Sequence, residues 1–566
     1  MEEKKVLTYE ELTSAIWEVA DIIRDEVDGD TRDYMELTLP LLLVKRILDT
    51  REEYIDNVLK NTSTFEMVKG DLLKVLSIEK KTMPMYNVSG DLKRYFITWK
   101  DIVSYIDNKN NEEITLPLKK YSDISIKTKA KTQQHFLSEV LEGFENKKIN
   151  RIIKDSGICQ SITNLDKIKE ETFNKIMSAF NELTFSFELA PSDIFSDGYM
   201  YLIEKFATTA GKKGGEFFTP KLLCQGAIKL LNPTLKEVGH TSVADITAGS
   251  ATFLKVYLDY IRTNLRKEMK NDNKVEETIN SKCKFYLQEK TNKTLILGEM
   301  NLLLATLNED NFTSYTANSI SEYTENIGQH RNTIDYVVGN PPYGLKDYCG
   351  SYFGPDFKKK KYNSKGNEDR WKWGIAPKGE GEMAFVETFI DMLNNEGRGV
   401  IVLPLGTLFK DSTKHIRQKM IKEGLIEGLV LLPDNMFMTT GIPVVLWVLN
   451  KNKIRKNKDK IFMINASEHF TKEGKFKVWN QNESVDAFHN KKEIEGFSGY
   501  VSLEDIEEND FNISVQRYVF KEEKEEDIDI EQVSKEIDEL EKQIAEKKVI
   551  VKSAIEQVIQ IQKNKS

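Results

Sequence analysis

Cysteine is scarce in this chain: four in 566 residues, at Cys159, Cys224, Cys283 and Cys349, with no CxxC pair. That excludes a disulfide frame and a zinc site built on paired thiols, and it reads as reduced thiols in a cytoplasmic protein. The six histidines show no ligand spacing, so no metal is expected. No uninterrupted apolar run is long enough to cross a bilayer. Met1-Glu2-Glu3-Lys4-Lys5 leads into polar sequence, not into the apolar core of a secretory signal. An excess of basic residues is missing too, since the net charge is −9. A chain that gripped nucleic acid alone would usually carry a basic surface, because phosphate neutralisation supplies most non-specific affinity. If DNA is the substrate, a partner provides much of the grip.

What is present is globular: 40% hydrophobic and 30% charged residues over a length that suggests roughly three or four domains. Residues 1–183 read as a helical domain. Leu12, Ile16, Val19 and Ile23 recur at helical spacing, and Leu37, Leu39, Leu41, Leu42, Val44 and Ile47 form a second apolar segment. Asp107 to Glu113 reads as a solvated connector. Residues 184–470 alternate short apolar strands with helices, which predicts βαβ units and a mainly parallel sheet of the α/β class. The strands expected are 242–244, 285–287, 334–338, 400–403, 429–432 and 444–449, and the polar stretch Met269 to Lys282 reads as a surface loop. Residues 471–520 form a tail region. In 521–566 an acidic run precedes Ile530, Val533, Ile537, Leu540 and Ile544, spaced 3, 4, 3, 4, and the pattern resumes at Val551, Ile555 and Val558. That is coiled-coil spacing, and self-association or packing on the chain's own body fits it as well as a helix from another subunit does.

The run Ile334-Asp335-Tyr336-Val337-Val338-Gly339 ends in Asn340-Pro341-Pro342-Tyr343. A buried strand closed by an amide, two prolines and an aromatic ring makes a stiff ledge at the carboxyl edge of a sheet, where ligands of open α/β sheets bind. The ledge suits a planar exocyclic amine: the Asn340 side-chain oxygen and the Pro341 carbonyl can each accept one N–H, and Tyr343 can stack on the ring. An aromatic amine is a poor nucleophile because its lone pair is delocalised. Two fixed acceptors favour pyramidalisation and stabilise the positive charge that develops as nitrogen attacks carbon. The prolines fix φ and remove donors.

The electrophile needs a pocket. Ser242-Val243-Ala244-Asp245, followed by Ile246-Thr247-Ala248-Gly249-Ser250-Ala251-Thr252, reads as strand, small-residue turn and helix start. Asp245 can accept from an ammonium, and Glu289, ending the next strand, is placed as ribose-binding acids are. The GxGxxG that a dinucleotide pyrophosphate wants is missing, so a ligand without phosphates, such as S-adenosylmethionine, fits better. Gly214-Gly215-Glu216-Phe217-Phe218-Thr219-Pro220-Lys221, ahead of the first strand, could wrap that ligand's methionine end.

These motifs, in this order, resemble the modification (methyltransferase) subunits of type I restriction–modification systems, which are N6-adenine DNA methyltransferases. The resemblance covers nearly the whole chain. It extends to Ala20-Asp21-Ile22-Ile23-Arg24, Leu39-Pro40-Leu41-Leu42, the block from Gly397 to Gly406, and Leu432-Pro433-Asp434-Asn435-Met436-Phe437 through Thr440-Gly441-Ile442-Pro443. It implies a Rossmann-like, mainly parallel methyltransferase sheet with a helical N-terminal domain and a C-terminal coiled-coil helix. It implies that Glu216, Phe217, Phe218, Thr219, Pro220, Lys221, Asp245, Gly249, Ser250, Ala251, Thr252, Glu289 and Asn318 bind S-adenosyl-L-methionine, and that Asn340, Pro341, Pro342 and Tyr343 hold the target adenine. The implied partners are double-stranded DNA, a specificity subunit, a second modification subunit and a restriction subunit, with no membrane. Three positions depart from the family pattern: Ile246 where proline is common, Ala251 where glycine is common, and Asn318 where an acidic residue is usual. If position 251 needs φ > 0, alanine there costs about 1 kcal/mol.

Two other functions use parts of the same signature. One is a methyltransferase acting on RNA or on a protein glutamine; the other is a structural subunit that binds cofactor or DNA without catalysing. Between Tyr343 and Met383, Lys358 to Lys361 and Trp371-Lys372-Trp373 suit phosphate contact and base stacking, and equally a solvated charge run over buried tryptophans. No block is left over for a target-recognition domain.

Overall fold

Local sequence starts the first helix. The Thr8 hydroxyl accepts from the Glu11 N–H (3.2 Å) and Glu11 Oε2 accepts from the Thr8 N–H (2.9 Å), the reciprocal pair that T-x-x-E encodes. In this computed structural model α1 (Tyr9–Glu26) buries Leu12, Ile16 and Val19, a single face at i, i+4, i+7. The structure describes residues 8–26, 38, 40–50, 52–53, 114–118, 121–128, 132–142, 151–152, 154–155, 169–181, 183–186, 189, 198 and 201, then 219–563 except 307–308, 349–367, 438–440, 453–458, 474–475 and 522–529. The expectations for Asp107 to Glu113 and for Lys358 to Lys361 lie outside these residues.

Residues 40–50 are helical, with Leu41, Leu42, Val44 and Ile47 buried. Asp49 pairs with Lys45 and accepts from the Phe185 N–H (2.7 Å), while Arg46 donates to the Ser186 carbonyl (2.6 Å). Helices α2 (Gln133–Glu142) and α3 (Glu170–Asn181) follow in the same region, α3 packing on both α1 and α2 through a face that includes Phe173, Ile176 and Phe180. One element departs from the helical reading. Strands β1 (Ile114–Leu118) and β2 (Tyr121–Thr128) pair antiparallel. Ile124, Ile126 and Thr128 alternate with polar residues, and this period of two with β-branched side chains favours a strand over a helix.

The main body is one nine-stranded sheet. Its strands are β3 (Thr241–Asp245), β4 (Cys283–Glu289), β5 (Phe312–Thr316), β6 (Ile334–Gly339), β7 (Leu393–Pro404), β8 (Ile426–Leu431), β9 (Val444–Asn450), β10 (Lys460–Asn465) and, after the separate hairpin β11 (Phe470–Glu473) and β12 (Phe476–Trp479), β13 (Ser498–Ser502). The spatial order is β13-β10-β8-β9-β7-β6-β3-β4-β5. Strands β5, β4, β3, β6 and β7 are mutually parallel; β9 runs antiparallel to β7 and β8, and β13 antiparallel to β10. All six strands expected from the sequence form. β5, β10 and β13 were not expected, and β13 extends the sheet past residue 470.

Successive strand residues feed opposite cores. Val243, Val338, Val400 and Val448 pack with α4 (Lys221–Leu231), α5 (Thr252–Met269) and α7 (Asn292–Thr306); Ala244, Val337, Ile401 and Trp447 pack with α8 (Gly381–Met392) and α9 (Lys414–Lys422). Both faces of the sheet are therefore covered, and its central strands are rich in apolar residues, β9 without a break from Val444 to Leu449. The segment expected as a loop contains α6 (Asp272–Lys282). Asn271 caps it by accepting from the Lys274 N–H (3.0 Å), Val275 and Ile279 anchor it one turn apart, and Arg262 grips Glu276 with 2.6 and 3.0 Å bonds. Two buried residues at i, i+4 suffice for a helix that is otherwise polar. Helix α10 (Gln481–Asn490) follows the hairpin.

Phe520–Ser566 is a separate unit containing α11 (Ile530–Lys563). In it Ile537, Leu540, Ile544, Val551 and Ile555 are each more than half exposed. Among the described residues no helix is long and apolar enough to cross a membrane.

Candidate active site at the crevice between β3 and β6

The chain runs outward from β3 through β4 to β5, then returns across β3 to place β6 on its other side. This reversal opens a crevice between the carboxyl ends of β3 and β6, where doubly wound sheets bind their ligands. β3 delivers Asp245 to that edge and β6 delivers Asn340. Gly339 lets them meet, because a methyl group there would lie 2.7 Å from Asp245 Oδ1.

Asp245 is buried, and its Oδ1 accepts from the Thr247 N–H (2.9 Å) and hydroxyl (3.3 Å). Burial pushes its pKa up to about 7, partly opposed by the Thr247 bonds and assisted by the nearby Glu289. The loop that follows is tight. Gly249 and Ala251 both have positive φ, 53° and 58°, and Ala251 N–H donates to the Ala248 carbonyl (2.7 Å). Alanine therefore stands in the left-handed region where the family prefers glycine, and the conditional expectation of strain at position 251 is met. Ser250 and Thr252 hydroxyls lie 2.9 Å apart. All three of Ser250, Ala251 and Thr252 are buried.

Helix α7 holds this loop from behind. Asn301 donates to the Ser250 carbonyl (2.9 Å), and Gly298 comes so close that a Cβ there would sit 2.9 Å from the Gly249 carbonyl oxygen. Between them Glu299, fully buried, is bonded to Arg151 and to the Ser314 hydroxyl. Glu289 ends β4 as expected, with one oxygen accepting from the Gly249 N–H (3.1 Å) and the other from the Lys290 N–H (2.8 Å). A carboxylate has about four lone-pair sites, so these bonds leave acceptor capacity. Asn318 follows β5, but its Oδ1 is committed to the N–H groups of Ile320 (2.9 Å) and Ser321 (3.1 Å), a turn of its own. Ile246 is buried in the apolar core, and its carbonyl accepts from the Ser319 hydroxyl.

The Asn340 carboxamide is fixed at both ends. Its Nδ2 donates to Thr219 Oγ1 (3.1 Å), and its Oδ1 accepts from the Tyr343 hydroxyl. Thr219, assigned to the cofactor loop by resemblance, thus reaches the amide at the other half of the crevice. Pro220 caps α4, Lys221 begins it, and Pro341 is buried beside the exposed Pro342. Burial, with Glu382 nearby, holds the Tyr343 phenol far above its ordinary pKa, so it remains a donor. Glu216, Phe217 and Phe218 lie outside the described residues. Trp371 and Trp373 are buried, which favours the structural use of that segment over base stacking.

Beside Tyr343, toward the ends of β7 and α8, is a cavity of about 300 Å³ lined by Tyr343, Glu382, Met383, Thr407, Lys410 and Ile442 among others. That is the lower end of the range for small-molecule sites. Glu382, Asn301 and Gly298 were not singled out in the sequence. Only their position against the motif loops reveals them.

A parallel sheet with an antiparallel strand beside β7, a small-residue loop after β3 and Asn-Pro-Pro-Tyr after β6 define a methyltransferase-type α/β enzyme. The chain belongs to the N-6 DNA methylase family, whose pattern matches residues 190–527, and residues 12–180 match the HsdM N-terminal domain. It is 27% identical to the type I restriction enzyme MpnII methylase subunit of Mycoplasma pneumoniae, over 99% of this chain and 98% of that protein. It is 30% identical to the MjaVII methylase subunit of Methanocaldococcus jannaschii, over 66% of this chain and 61% of that protein. Among solved structures, the methyltransferase subunit of a type I restriction–modification system from Streptococcus thermophilus superposes with a TM-score of 0.67 at 21% identity, covering 91% of this chain and all of that one. The fold is thereby shared, and the chain is an adenine-specific DNA methyltransferase of the type I methylase subunit family.

Proposed function

We propose that this chain is the modification subunit of a type I restriction–modification complex and methylates N6 of an adenine flipped out of duplex DNA, at sites chosen by a separate specificity subunit. One observation carries the reading: β6 reaches the Asp245 loop so closely at Gly339 that a methyl there would lie 2.7 Å from Asp245 Oδ1, and the next residue, Asn340, presents its amide at that edge bonded to Thr219.

The residues fit S-adenosyl-L-methionine. A buried carboxylate, Asp245, suits an ammonium. Glu289 suits ribose hydroxyls, and the loop at Gly249 to Thr252 admits close backbone approach without a phosphate-binding glycine run. When bound, the cofactor supplies a methyl group on a sulfonium leaving group. The chain's own part is to hold and orient. Asn340 Oδ1, kept in register by the Tyr343 hydroxyl and by Thr219 at the opposite end of the amide, accepts from the adenine amine and stabilises positive charge on nitrogen. Its oxygen has a second lone pair for this. The Pro341 carbonyl takes the other N–H, and the Tyr343 ring packs against the base. A stacked base cannot reach this edge, so it must leave the helix. No covalent enzyme intermediate is needed, and the methylated ammonium loses its proton to solvent.

The acidic chain depends on partners for its grip on DNA. These are a specificity subunit and a second modification subunit, to which a restriction subunit can join, with the exposed aliphatic ridge of α11 as the assembly segment. The test is transfer of a tritiated methyl group from S-adenosylmethionine to duplex DNA, RNA or protein, using the chain purified with its native partners. Label recovered as N6-methyladenine in DNA supports the reading. Label only in RNA or on protein glutamine replaces it with the rival methyltransferase. No transfer to any acceptor, with cofactor bound, leaves a structural subunit.

A further inference from the structure

The two prolines explain what fixes the ledge upstream of Tyr343, but nothing in the motif explains what fixes it downstream. Gly344 turns with φ +63°, so the chain leaves Tyr343, whose hydroxyl is tied back to Asn340, through a turn that the motif itself does not hold. The structure supplies an anchor from another element. Glu382, in the first turn of α8 and only 5% exposed, accepts from the Gly344 N–H through Oε1 at 2.7 Å. The positive end of the helix favours a carboxylate there, and a charged acceptor makes a stronger bond than a neutral one. Further ties run between the same two segments. The Tyr348 hydroxyl donates to the Ala376 carbonyl (2.8 Å), and Gly381 lies so near Tyr348 that a Cβ would be 2.6 Å from the tyrosine Cβ. Glu382 and Tyr343 also share the wall of the 300 Å³ cavity.

We infer that Glu382 is a positioning residue: by gripping the Gly344 amide it sets the Tyr343 ring, and hence the angle at which the target base presents its amine to Asn340. The inference rests on the methyltransferase reading above. It requires no proton transfer and no contact with the cofactor, because its partner is a backbone amide on the base side of the crevice. Misplacement of a reacting group by about 1 Å can cost on the order of 100-fold in rate. Loss of the anchor should therefore appear in turnover and not in cofactor affinity.

The experiment compares wild type, Glu382→Ala and Glu382→Gln, each as the full chain co-purified with its partner subunits. Methyl transfer to unmodified chromosomal DNA gives turnover, equilibrium dialysis with labelled S-adenosylmethionine gives affinity, and a duplex carrying 2-aminopurine at the mapped target reports base flipping by fluorescence. Glu382→Ala should lower turnover by roughly 10- to 100-fold and alter the 2-aminopurine signal, with cofactor affinity within about twofold of wild type. Glu382→Gln, which keeps an acceptor for the Gly344 N–H, should recover most of the activity. Unchanged turnover in the alanine variant overturns the inference, as does a parallel loss of cofactor binding or a glutamine variant as poor as alanine. Inactive wild type would instead strike at the methyltransferase reading itself.

Discussion

Gly339 is where the two halves of the crevice touch, and Gly339→Ala tests whether that contact matters. An added methyl would meet Asp245 Oδ1 at 2.7 Å, Phe389 Cζ at 3.0 Å and Thr247 Oγ1 at 3.1 Å, all inside the 3.4 Å at which ordinary contact begins. Asp245 cannot simply swing aside, because it is buried and held by two bonds from Thr247. Overpacking of this kind costs about 1–3 kcal/mol, offset by about 0.5–1 kcal/mol from a stiffer unfolded chain. The melting temperature should therefore fall only modestly. Displacing the carboxylate from a cationic ligand forfeits a charge-assisted bond worth about 1.5–3 kcal/mol, or roughly 10- to 100-fold in Kd. Titration calorimetry with S-adenosylmethionine, beside a thermal melt, measures both. A variant that melts normally and binds within twofold of wild type would refute the argument that Asp245 is pinned and holds the ammonium.

Four other outcomes follow from the same geometry. Asp245, raised to about 7 from an ordinary 3.8, holds its proton more tightly when folded, so its contribution to stability declines as pH climbs from about 4 to 7. Ammonium binding needs the ionised form and moves the other way: cofactor affinity should rise about tenfold between pH 6 and pH 8, and Asp245→Asn should flatten the profile. At position 251, glycine removes left-handed strain of about 1–2 kcal/mol but loses a buried methyl worth about 0.8 kcal/mol and adds unfolded-state freedom. Ala251→Gly should therefore stay within about 1 kcal/mol of wild type by denaturant unfolding, whereas the β-branched Ala251→Val should lose about 2 kcal/mol or more. Asn340→Ala should abolish methyl transfer while cofactor still binds in dialysis; full activity would remove the proposed role. Truncation before Ile530 should weaken assembly, and an unchanged complex mass on size exclusion would contradict that.

The sheet was legible wherever strands are buried on both sides, because Val444 to Leu449 is a continuous apolar run and Ile334 to Val338 is broken only by Asp335. Elements were missed where burial is sparse or partial. Strand β5, Phe-Thr-Ser-Tyr-Thr, buries only its first residue fully. Helix α6 shows two apolar anchors among polar residues. The β1–β2 hairpin sits in a stretch whose apolar spacing elsewhere reads as helical, and its period of two was too short to stand out. At the site, chain-local motifs announced Asp245, Glu289 and Asn340, and the family pattern flagged Ala251 as out of place. Glu382, Gly298 and Asn301 carried no such mark. Each acts by contact with a loop distant in sequence, and a glutamate in a helical run looks like any other until the turn it grips is seen.

Helix α7 offers the clearest consequence. Within four residues it presses on Gly249, pairs with Arg151 of the helical region and carries the amide that restrains Ser250. A screen for inactive variants should accordingly return hits along this helix as readily as among the motif residues, although no side chain on it needs to reach a ligand. Inheritance of function here runs through a scaffold that no motif search would score.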